Sequence, residues 1–204
     1  MPILAVTAVA AELEAVGAHE RIDVIAGGVG PAAVAAATSA ALLRAPYDLV
    51  ISAGIGGGFT PLRPGELAVA SSMIFADLGA ETPAGFRSSA ELGFGVDSYL
   101  PDAASARRLA TITGARLGPI LTVATVTGTA ETAATLAARH PGALAEAMEG
   151  AGVAAAASLH GLPFAELRAI SNAVGPRDRE GWRIGQALAA LGAAFDAIAG
   201  QWFA

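Results

Sequence analysis

The chain has 204 residues, of which 54% are hydrophobic and 15% charged, and its formal net charge is −6. This length and composition predict one globular domain over residues 1–204 with a sizeable core, and they exclude a disordered chain. The acidic balance and the absence of any run of basic residues predict that the chain binds neither nucleic acid nor a membrane surface.

The chain contains no lysine and no cysteine, which excludes several kinds of catalytic and metal site. All 12 basic residues are arginine, which excludes a Schiff-base lysine and the lysine of a P-loop. The absence of cysteine excludes disulfides, thiolate catalysis and cysteine-bound metals. His19, His140 and His160 lack metal-ligand spacing, so we expect neither a metal nor another cofactor.

The N-terminal segment does not have the pattern expected of a signal peptide. Met1–Ala11 is apolar, but it has no basic residue and Glu12 follows at once. The long apolar runs are mostly alanine with polar interruptions and do not reach the length and hydropathy of a membrane span. We therefore expect a cytoplasmic protein.

The first part of the chain alternates strands with helices. Ile3–Thr7 predicts a central strand, and Glu12 follows its C-terminal end, where open α/β sheets place ligands. Ile22–Ala26 predicts a second strand. The turn Gly28–Pro31 leads into a helix over Ala32–Leu43, since proline suits the first helical position.

The same turn matches the dinucleotide-binding pattern G-x-G-x-x-A through Gly28, Gly30 and Ala33. That pattern requires an acid at the far end of the next strand, whereas Asp48 stands at its start. The match is weak, and a tight turn is the simpler interpretation.

A glycine-rich segment follows the third strand. Asp48–Ala53 is a continuous apolar run typical of a buried parallel strand, and Gly54–Phe59 predicts a loop after it. Backbone N–H groups near Gly54 and Gly56 can approach an anion or a sugar closely. A flexible turn without function explains these glycines equally well.

The rest of the chain continues the alternation after a polar, irregular stretch at residues 72–104. The predicted strands are Gly65–Ser71, Pro119–Ala124, a short segment at 143–149 and Phe164–Ser171, and the predicted helices are Asp102–Thr113, Thr132–Arg139, 150–160 and one that reaches Phe203. Such alternation predicts an α/β fold around a sheet.

Glu149 lies in the stretch that favours a binding site most strongly. Ala147–Val153 places this acid after Met148 and before a run of very small residues. A buried carboxylate is unfavourable without a partner, and small neighbours let a ligand or another backbone approach it. An ordinary acid at a helix start is the alternative.

Three polar side chains are predicted at the C-terminal ends of strands: Glu12, Glu149 and Asn172. Two carboxylates and a carboxamide in an apolar cleft suit cleavage of a glycosidic bond, which passes through a sugar of oxocarbenium character. One acid can activate water, the other can hold ring hydroxyls, and the third group can assist departure of the base.

An ordered series of short segments covers nearly the whole chain. Met148–Ala151 followed by Arg168–Ser171 is the most telling pair, and the other segments are Ala8–Leu13, Gly28–Gly30, Asp48–Ile51 and Gly65–Leu67. The series resembles the purine nucleoside phosphorylase/nucleosidase superfamily, closest to its 5′-methylthioadenosine/S-adenosylhomocysteine nucleosidase branch. This resemblance implies a three-layer α/β fold with a mixed, largely parallel twisted sheet flanked by helices, and a homo-oligomer, either a dimer or larger.

The resemblance also implies roles for individual residues toward a nucleoside substrate. Glu12 matches the family's water-activating acid, and Glu149, with Met148 beside it, matches the acid that binds the ribose hydroxyls. Asn172 falls where the nucleosidases carry an aspartate at purine N7. The remaining implied substrate contacts are Gly54, Gly56 and Thr127.

Two departures from the family pattern narrow the activity. Phosphorylases of the superfamily hold phosphate with arginines, and this chain has none between Met1 and Glu20 or between Ile51 and Leu62. Water is therefore the expected nucleophile. Asn172 in place of aspartate suits a 6-oxopurine, because a carboxamide can donate to O6 and accept from N1–H or N7–H.

The segment from Ile170 to Trp182 resembles the futalosine hydrolases of the menaquinone route. This resemblance implies hydrolysis of futalosine to hypoxanthine and dehypoxanthine futalosine. Arg87, Arg177 or Arg179 can pair with the benzoate-type carboxylate of that substrate. Surface pairing of the last two with neighbouring acids is the stronger alternative.

Other activities stay open. A methylthioadenosine/S-adenosylhomocysteine nucleosidase is disfavoured by Asn172, and a purine nucleoside phosphorylase by the missing arginines. A nucleotide-binding oxidoreductase rests on the Gly28–Ala33 pattern alone. A non-catalytic nucleoside-binding module is compatible with all of these features, and turnover would exclude it.

Overall fold

The computed structural model describes residues 2–204. The strands in this part of the chain are β1 (Ile3–Thr7), β2 (Ile22–Ala26), β3 (Leu49–Gly58), β4 (Leu67–Phe75), β5 (Gly79–Thr82), β6 (Gly85–Ser88), β7 (Ser98–Tyr99), β8 (Arg116–Thr122), β9 (Ala145–Ala147) and β10 (Phe164–Ala173). The α-helices are α1 (Ala10–Val16), α2 (Pro31–Leu42), α3 (Ala103–Thr113), α4 (Ala130–Arg139), α5 (Gly150–Leu159) and α6 (Ile184–Gln201). None of these helices combines the length and hydropathy needed to cross a bilayer.

Local sequence sets several helix starts. Gly30 adopts a φ of 90° that favours glycine, and Pro31 then takes the first helical position of α2. Asp102 and Thr129 cap α3 and α4, since each side chain accepts a hydrogen bond from the N–H three residues further on. These signals place the helix starts close to the predicted ones.

β3 is the centre of the main sheet. β1 and β2 extend from it in parallel, and β10 runs parallel to it along the other edge. Beyond β10 the order continues through β4, β8 and β9, and β9 pairs with the end of β3, so that these strands close a ring. The β10–β4 and β3–β9 pairings are antiparallel, which makes the sheet mixed.

Alternate residues of β1 face two layers of helices. Ile3 and Ala5 belong to a core with residues of α1, α3 and α6, whereas Leu4 and Val6 belong to a core with residues of α2 and α5. The predicted three-layer α/β fold with a mixed sheet is therefore confirmed.

The glycine-rich segment is not a loop, and that prediction was wrong. β3 continues through it, and Gly57 pairs with Asn172 on one edge and with Glu146 on the other. Glycine normally weakens a strand interior, but here a side chain would collide with its neighbours. A Cβ on Gly54 would lie 2.5 Å from the Oε1 atom of Glu12.

The stretch at residues 72–104 is more ordered than predicted. β4 extends to Phe75, β7 pairs with β4, and β5 and β6 form a separate two-stranded sheet. The Tyr99 ring packs edge-on against Phe75 and Phe164. These contacts join distant parts of the chain, so the local polar pattern could not reveal them.

α2 and α5 pack backbone to backbone at Gly152. A Cβ on this residue would lie 2.8 Å from the Pro31 Cα and nearer still to the Pro31 carbonyl oxygen. The small residues after Glu149 therefore let another backbone approach, which is one of the two possibilities that the sequence left open.

Replacement of Gly152 by alanine should separate these helices. We expect Gly152→Ala to lower the free energy of unfolding by about 1–3 kcal/mol through overpacking. Gly185 in α6 has open space at the same virtual Cβ, so Gly185→Ala should be neutral or stabilise by up to about 1 kcal/mol. Urea denaturation measures both variants, and equal stabilities would show that the α2–α5 contact is loose.

Candidate active site

One cavity of about 270 Å³ lies at the C-terminal ends of β1, β3 and β10. Gly54, predicted to contact substrate, does not line it, because the Glu12 carboxylate and Arg168 occupy the space above this glycine. Apart from the arginine candidates, the other predicted site residues all line the cavity: Glu12, Gly56, Thr127, Met148, Glu149 and Asn172.

The Glu12 carboxylate is held by backbone N–H groups from two strand ends. Its Oε2 accepts from Ala8 at 2.9 Å and from Val9 at 3.3 Å, and its Oε1 accepts from Ile55 at 2.9 Å. The residue is 4% exposed. These donors fix the orientation of the carboxylate and use three of its about four lone-pair sites, which leaves one on Oε1 that can accept a proton from a ligand.

Glu149 stands at the N-cap of α5 and is held from three sides. Its Oε1 accepts from the Gly30 N–H at 3.2 Å, and its Oε2 accepts from the Met148 N–H at 3.2 Å and faces Arg168 Nη1 at 3.4 Å. The dinucleotide-like turn at Gly28–Gly30 therefore supports an acid of this cavity. Asp48 lies before the start of β3, at the other end of that strand.

Arg168, which the sequence analysis used only as part of a motif, is completely buried beside the acids. Its Nε donates to Glu166 Oε1 at 2.9 Å, and its Nη2 donates to Ser52 Oγ at 2.8 Å. Its Nη1 forms no hydrogen bond and faces the Glu149 carboxylate. The hydrogen bonds of Nε and Nη2 fix the orientation of the guanidinium, and Nη1 therefore points toward the acids of the cavity.

Burial and neighbouring charges shift the pKa of Arg168 and of Glu166. Burial alone would lower the pKa of Arg168, but the carboxylates of Glu166, Glu149 and Glu12 together raise it above its ordinary value. Burial raises the pKa of Glu166, and Arg168 opposes that rise. One cation therefore faces several buried carboxyl groups, and the floor of the cavity is negative on balance.

Glu146 in β9 is a further cavity acid, and sequence reasoning missed it. Its carboxylate accepts from the Thr127 N–H at 2.8 Å and from the Thr127 hydroxyl at 2.5 Å. Burial raises the pKa of Glu146, the two hydrogen bonds oppose this, and the charge of Asp77 raises it further. Glu146 stands between two alanines in the sequence, and this local pattern did not indicate that its side chain lines a cavity.

Asn172 lies near the end of β10 and is partly buried. The Ser171 hydroxyl donates to its Oδ1 at 2.7 Å, and its Nδ2 donates to the Ala173 carbonyl at 2.8 Å. A carboxamide nitrogen carries two donors. One N–H of Asn172 therefore remains for an acceptor on a ligand.

Arg177 and Trp182 line the exposed side of the cavity. The Arg177 guanidinium carbon lies 5.3 Å from the centroid of the Trp182 ring, which is a cation–π contact. The other two arginines considered for a substrate carboxylate do not line the cavity. Arg87 donates to the Glu91 carbonyl beside β6, and Arg179 begins a 3-10 turn.

The cavity is largely apolar and contains three polar groups: the oriented carboxylate of Glu12, the Glu149 carboxyl group beside Arg168, and the amide donor of Asn172. Such groups can accept a proton from water, bind sugar hydroxyls and hold a purine base. Among residues 2–204, no group of three or more His, Asp or Glu is placed to hold a metal ion.

The fold and this site define a protein of the nucleoside phosphorylase class. Residues 11–199 match the family model of the phosphorylase superfamily, and the chain belongs to that superfamily. The crystal structure of 5′-methylthioadenosine/S-adenosylhomocysteine nucleosidase from Helicobacter pylori has the same fold, with a TM-score of 0.85 and 17% identity over 98% of each chain.

Sequence relatives narrow the class. The chain is 61% identical over 175 residues to the futalosine hydrolase of Streptomyces coelicolor, which covers 83% of this chain and 74% of that protein. It is 43% identical over 221 residues to the futalosine hydrolase of Acidothermus cellulolyticus, which covers 98% and 91%. Within the superfamily, the chain is a member of the futalosine hydrolase family.

Loss of the buried cation should destabilise the fold. We expect Arg168→Gln to lower the free energy of unfolding by about 3–5 kcal/mol near neutral pH, because buried carboxylates lose their counter-ion. Arg107→Gln, at an exposed site on α3, should change it by less than about 0.5 kcal/mol. Urea denaturation of both variants measures the difference.

The same deficit should depend on pH. The folded pKa of Glu166 is raised, so the stability it contributes is present at acid pH and is lost as pH rises through the carboxyl range. Removal of Arg168 makes that loss larger. The deficit of Arg168→Gln should therefore grow from acid to neutral pH, and a deficit independent of pH would contradict the charge argument.

Proposed function

We propose that this protein hydrolyses the N-glycosidic bond of futalosine and releases hypoxanthine and dehypoxanthine futalosine, a step of the futalosine route to menaquinone. One observation carries the proposal: a single cavity joins Glu12, Glu149 and Asn172 in a chain 61% identical to a futalosine hydrolase.

Glu12 acts as the general base in this proposal. A water molecule bound to its carboxylate gives up a proton to Glu12 as the water oxygen bonds to C1′ of the ribose and the C1′–N9 bond breaks. The three backbone N–H groups that hold Glu12 support this role, because they keep the carboxylate oriented and accessible from the cavity.

Glu149 binds the ribose hydroxyls, which can donate to the lone pairs of its carboxylate. Arg168 Nη1 lies 3.4 Å from this carboxyl group and places a positive charge beside it. As the glycosidic bond stretches, the sugar gains positive charge, and the carboxyl groups of Glu149 and Glu12 stabilise it more than they stabilise the neutral nucleoside.

Asn172 assists departure of the base. Its free N–H can donate to the O6 or N7 acceptors of a 6-oxopurine, while the Ser171 hydroxyl holds its Oδ1. A carboxamide has no titratable proton to transfer. The base therefore leaves as a hydrogen-bonded anion and takes a proton from a water molecule. The hydroxide that remains takes the proton that Glu12 gained, which restores the carboxylate.

Water is the nucleophile because the cavity offers little to phosphate. Among the residues that line it, Arg177 alone is cationic, and it lies on the exposed side. The buried Arg168 is already countered by neighbouring carboxylates. A phosphate ion beside Glu12 would meet negative charge without a free cation.

Arg177 and Trp182 support binding of the benzoate end of futalosine. An arginine can pair with the carboxylate, and the Trp182 ring offers a face for the aryl group. Together they give the exposed side of the cavity a cation and an aromatic surface, which match the two parts of this substituent.

Three broader features belong to the same proposal. A single domain over residues 1–204 is supported by the two cores that share one sheet. A homo-oligomer is supported by exposed apolar side chains such as Phe94, Leu100 and Leu159. We infer a cytoplasmic location because the N-terminal segment lacks the pattern of a signal peptide and no apolar run has the length and hydropathy of a membrane span.

Base release from futalosine, inosine and methylthioadenosine, each with and without phosphate, tests the activity. We expect phosphate-independent release of hypoxanthine from futalosine, with much slower cleavage of the other two nucleosides. Release of adenine from methylthioadenosine as the main activity, or a strict requirement for phosphate, would overturn the proposal. Liquid chromatography of the free bases gives both rates.

The two acids should carry the turnover. We expect Glu12→Gln to lower kcat by about 100-fold or more, because the general base is lost. Glu149→Gln should also lose most turnover, with the fold retained by circular dichroism. Normal rates in either variant would remove that residue from the mechanism.

The base preference should follow residue 172. Asn172→Asp should shift kcat/KM toward 6-aminopurine nucleosides by about tenfold or more, because the carboxyl group accepts from the 6-amino group and no longer donates to O6. Competition between futalosine and its 6-amino analogue measures the ratio. An unchanged ratio would refute the donor–acceptor argument.

A further inference from the structure

Three residues form a row across the end of the sheet. Gly57 of β3 is paired with Asn172 of β10 on one edge and with Glu146 of β9 on the other. All three line the cavity. Directly paired residues of neighbouring strands project to the same side of a sheet, so the row presents two polar side chains with a bare position between them.

The bare position makes a slot. Neighbouring strands lie roughly 4.8 Å apart, so the backbones of Glu146 and Asn172 are separated by roughly 10 Å. A Cβ on Gly57 would lie 3.5 Å from Asn172 Nδ2 and 2.9 Å from a methyl group of Val174. Val174 therefore packs over Gly57 and forms an apolar floor between the two polar side chains.

Glu146 lacks a cation. Within residues 2–204 its carboxylate forms no ion pair, and its hydrogen bonds come from Thr127 alone. A carboxylate offers about four lone-pair sites, of which Thr127 uses two. A nearly buried acid of this kind gains most from a further donor, and the cavity is where a ligand can supply one.

We propose that Glu146 is a specificity-determining residue that accepts the N1–H of a 6-oxopurine, while Asn172 holds the O6/N7 edge of the same base across the Gly57 slot. This assignment rests on the proposed function. It adds a reason for the preference against adenine, whose N1 is an acceptor and would face the oxygen lone pairs of Glu146.

A purely structural role for Glu146 makes a different prediction. If it only anchors Thr127 and the segment after β8, its loss would weaken binding of every purine alike. If it contacts N1, its loss would change the discrimination between hypoxanthine and adenine. The ratio of the two affinities therefore separates the roles.

Isothermal titration of hypoxanthine and adenine measures that ratio without any turnover. We expect Glu146→Gln to lower the hypoxanthine-to-adenine affinity ratio by about 10- to 100-fold, the range expected for a hydrogen bond to a charged group. Glu14→Gln is the matched control, since Glu14 is an exposed acid that does not line the cavity. It should leave both affinities and their ratio unchanged.

A ratio that is unchanged in Glu146→Gln, or shifted equally by Glu14→Gln, would overturn the proposal. If Glu146→Gln does not fold, the wild-type protein provides the test with 1-methylhypoxanthine, which lacks the N1–H. We expect affinity at least about tenfold below that of hypoxanthine, and equal affinity would overturn the assignment.

The outcomes also separate this inference from the proposed function. If the wild-type protein prefers hypoxanthine through Glu146 but does not cleave futalosine, the role of Glu146 in base recognition is supported and futalosine is excluded as the substrate. If the protein cleaves futalosine and its base preference does not depend on Glu146, futalosine is supported as the substrate and the role of Glu146 in base recognition is excluded.

Discussion

The candidate site depends on one buried cation, Arg168. Glu166 and Ser52 fix two sides of its guanidinium, and Glu149 meets the third. Without it, several carboxyl groups would lie close together in apolar surroundings with no counter-ion. The glycine at position 54 follows from the same constraint, because a side chain there would fill the space between the Glu12 carboxylate and the arginine.

Closure of the sheet into a ring explains why the polar groups meet. β9 is only three residues long, yet it joins β8 to the end of β3 and brings Glu146 and Glu149 to the same side as Glu12. The resulting cavity is negative on balance before any ligand enters. A neutral substrate that becomes cationic along its reaction path is the kind of ligand that such a fixed field favours.

Sequence patterns predicted the elements and most of the cavity residues, because hydrophobic alternation and strand-end position are local properties. Glu12, Glu149 and Asn172 were found in this way. The glycine strand was missed because glycine locally favours loops, whereas ring closure and close neighbours impose a strand. Arg168 and Glu146 were missed as site residues because Ser52, Glu149 and Thr127, which contact them, are distant along the chain. A single sequence does not show which of its segments are neighbours in the fold.

Glu149 belongs to two helices at once. It occupies the N-cap position of α5, and its side chain accepts a hydrogen bond from Gly30, the N-cap of α2. Since Gly152 lets α2 and α5 pack backbone to backbone, Glu149 is held in one position between the N-terminal ends of these two helices. The conformational entropy of its side chain is therefore lost when the chain folds, and a sugar that binds there has little left to order.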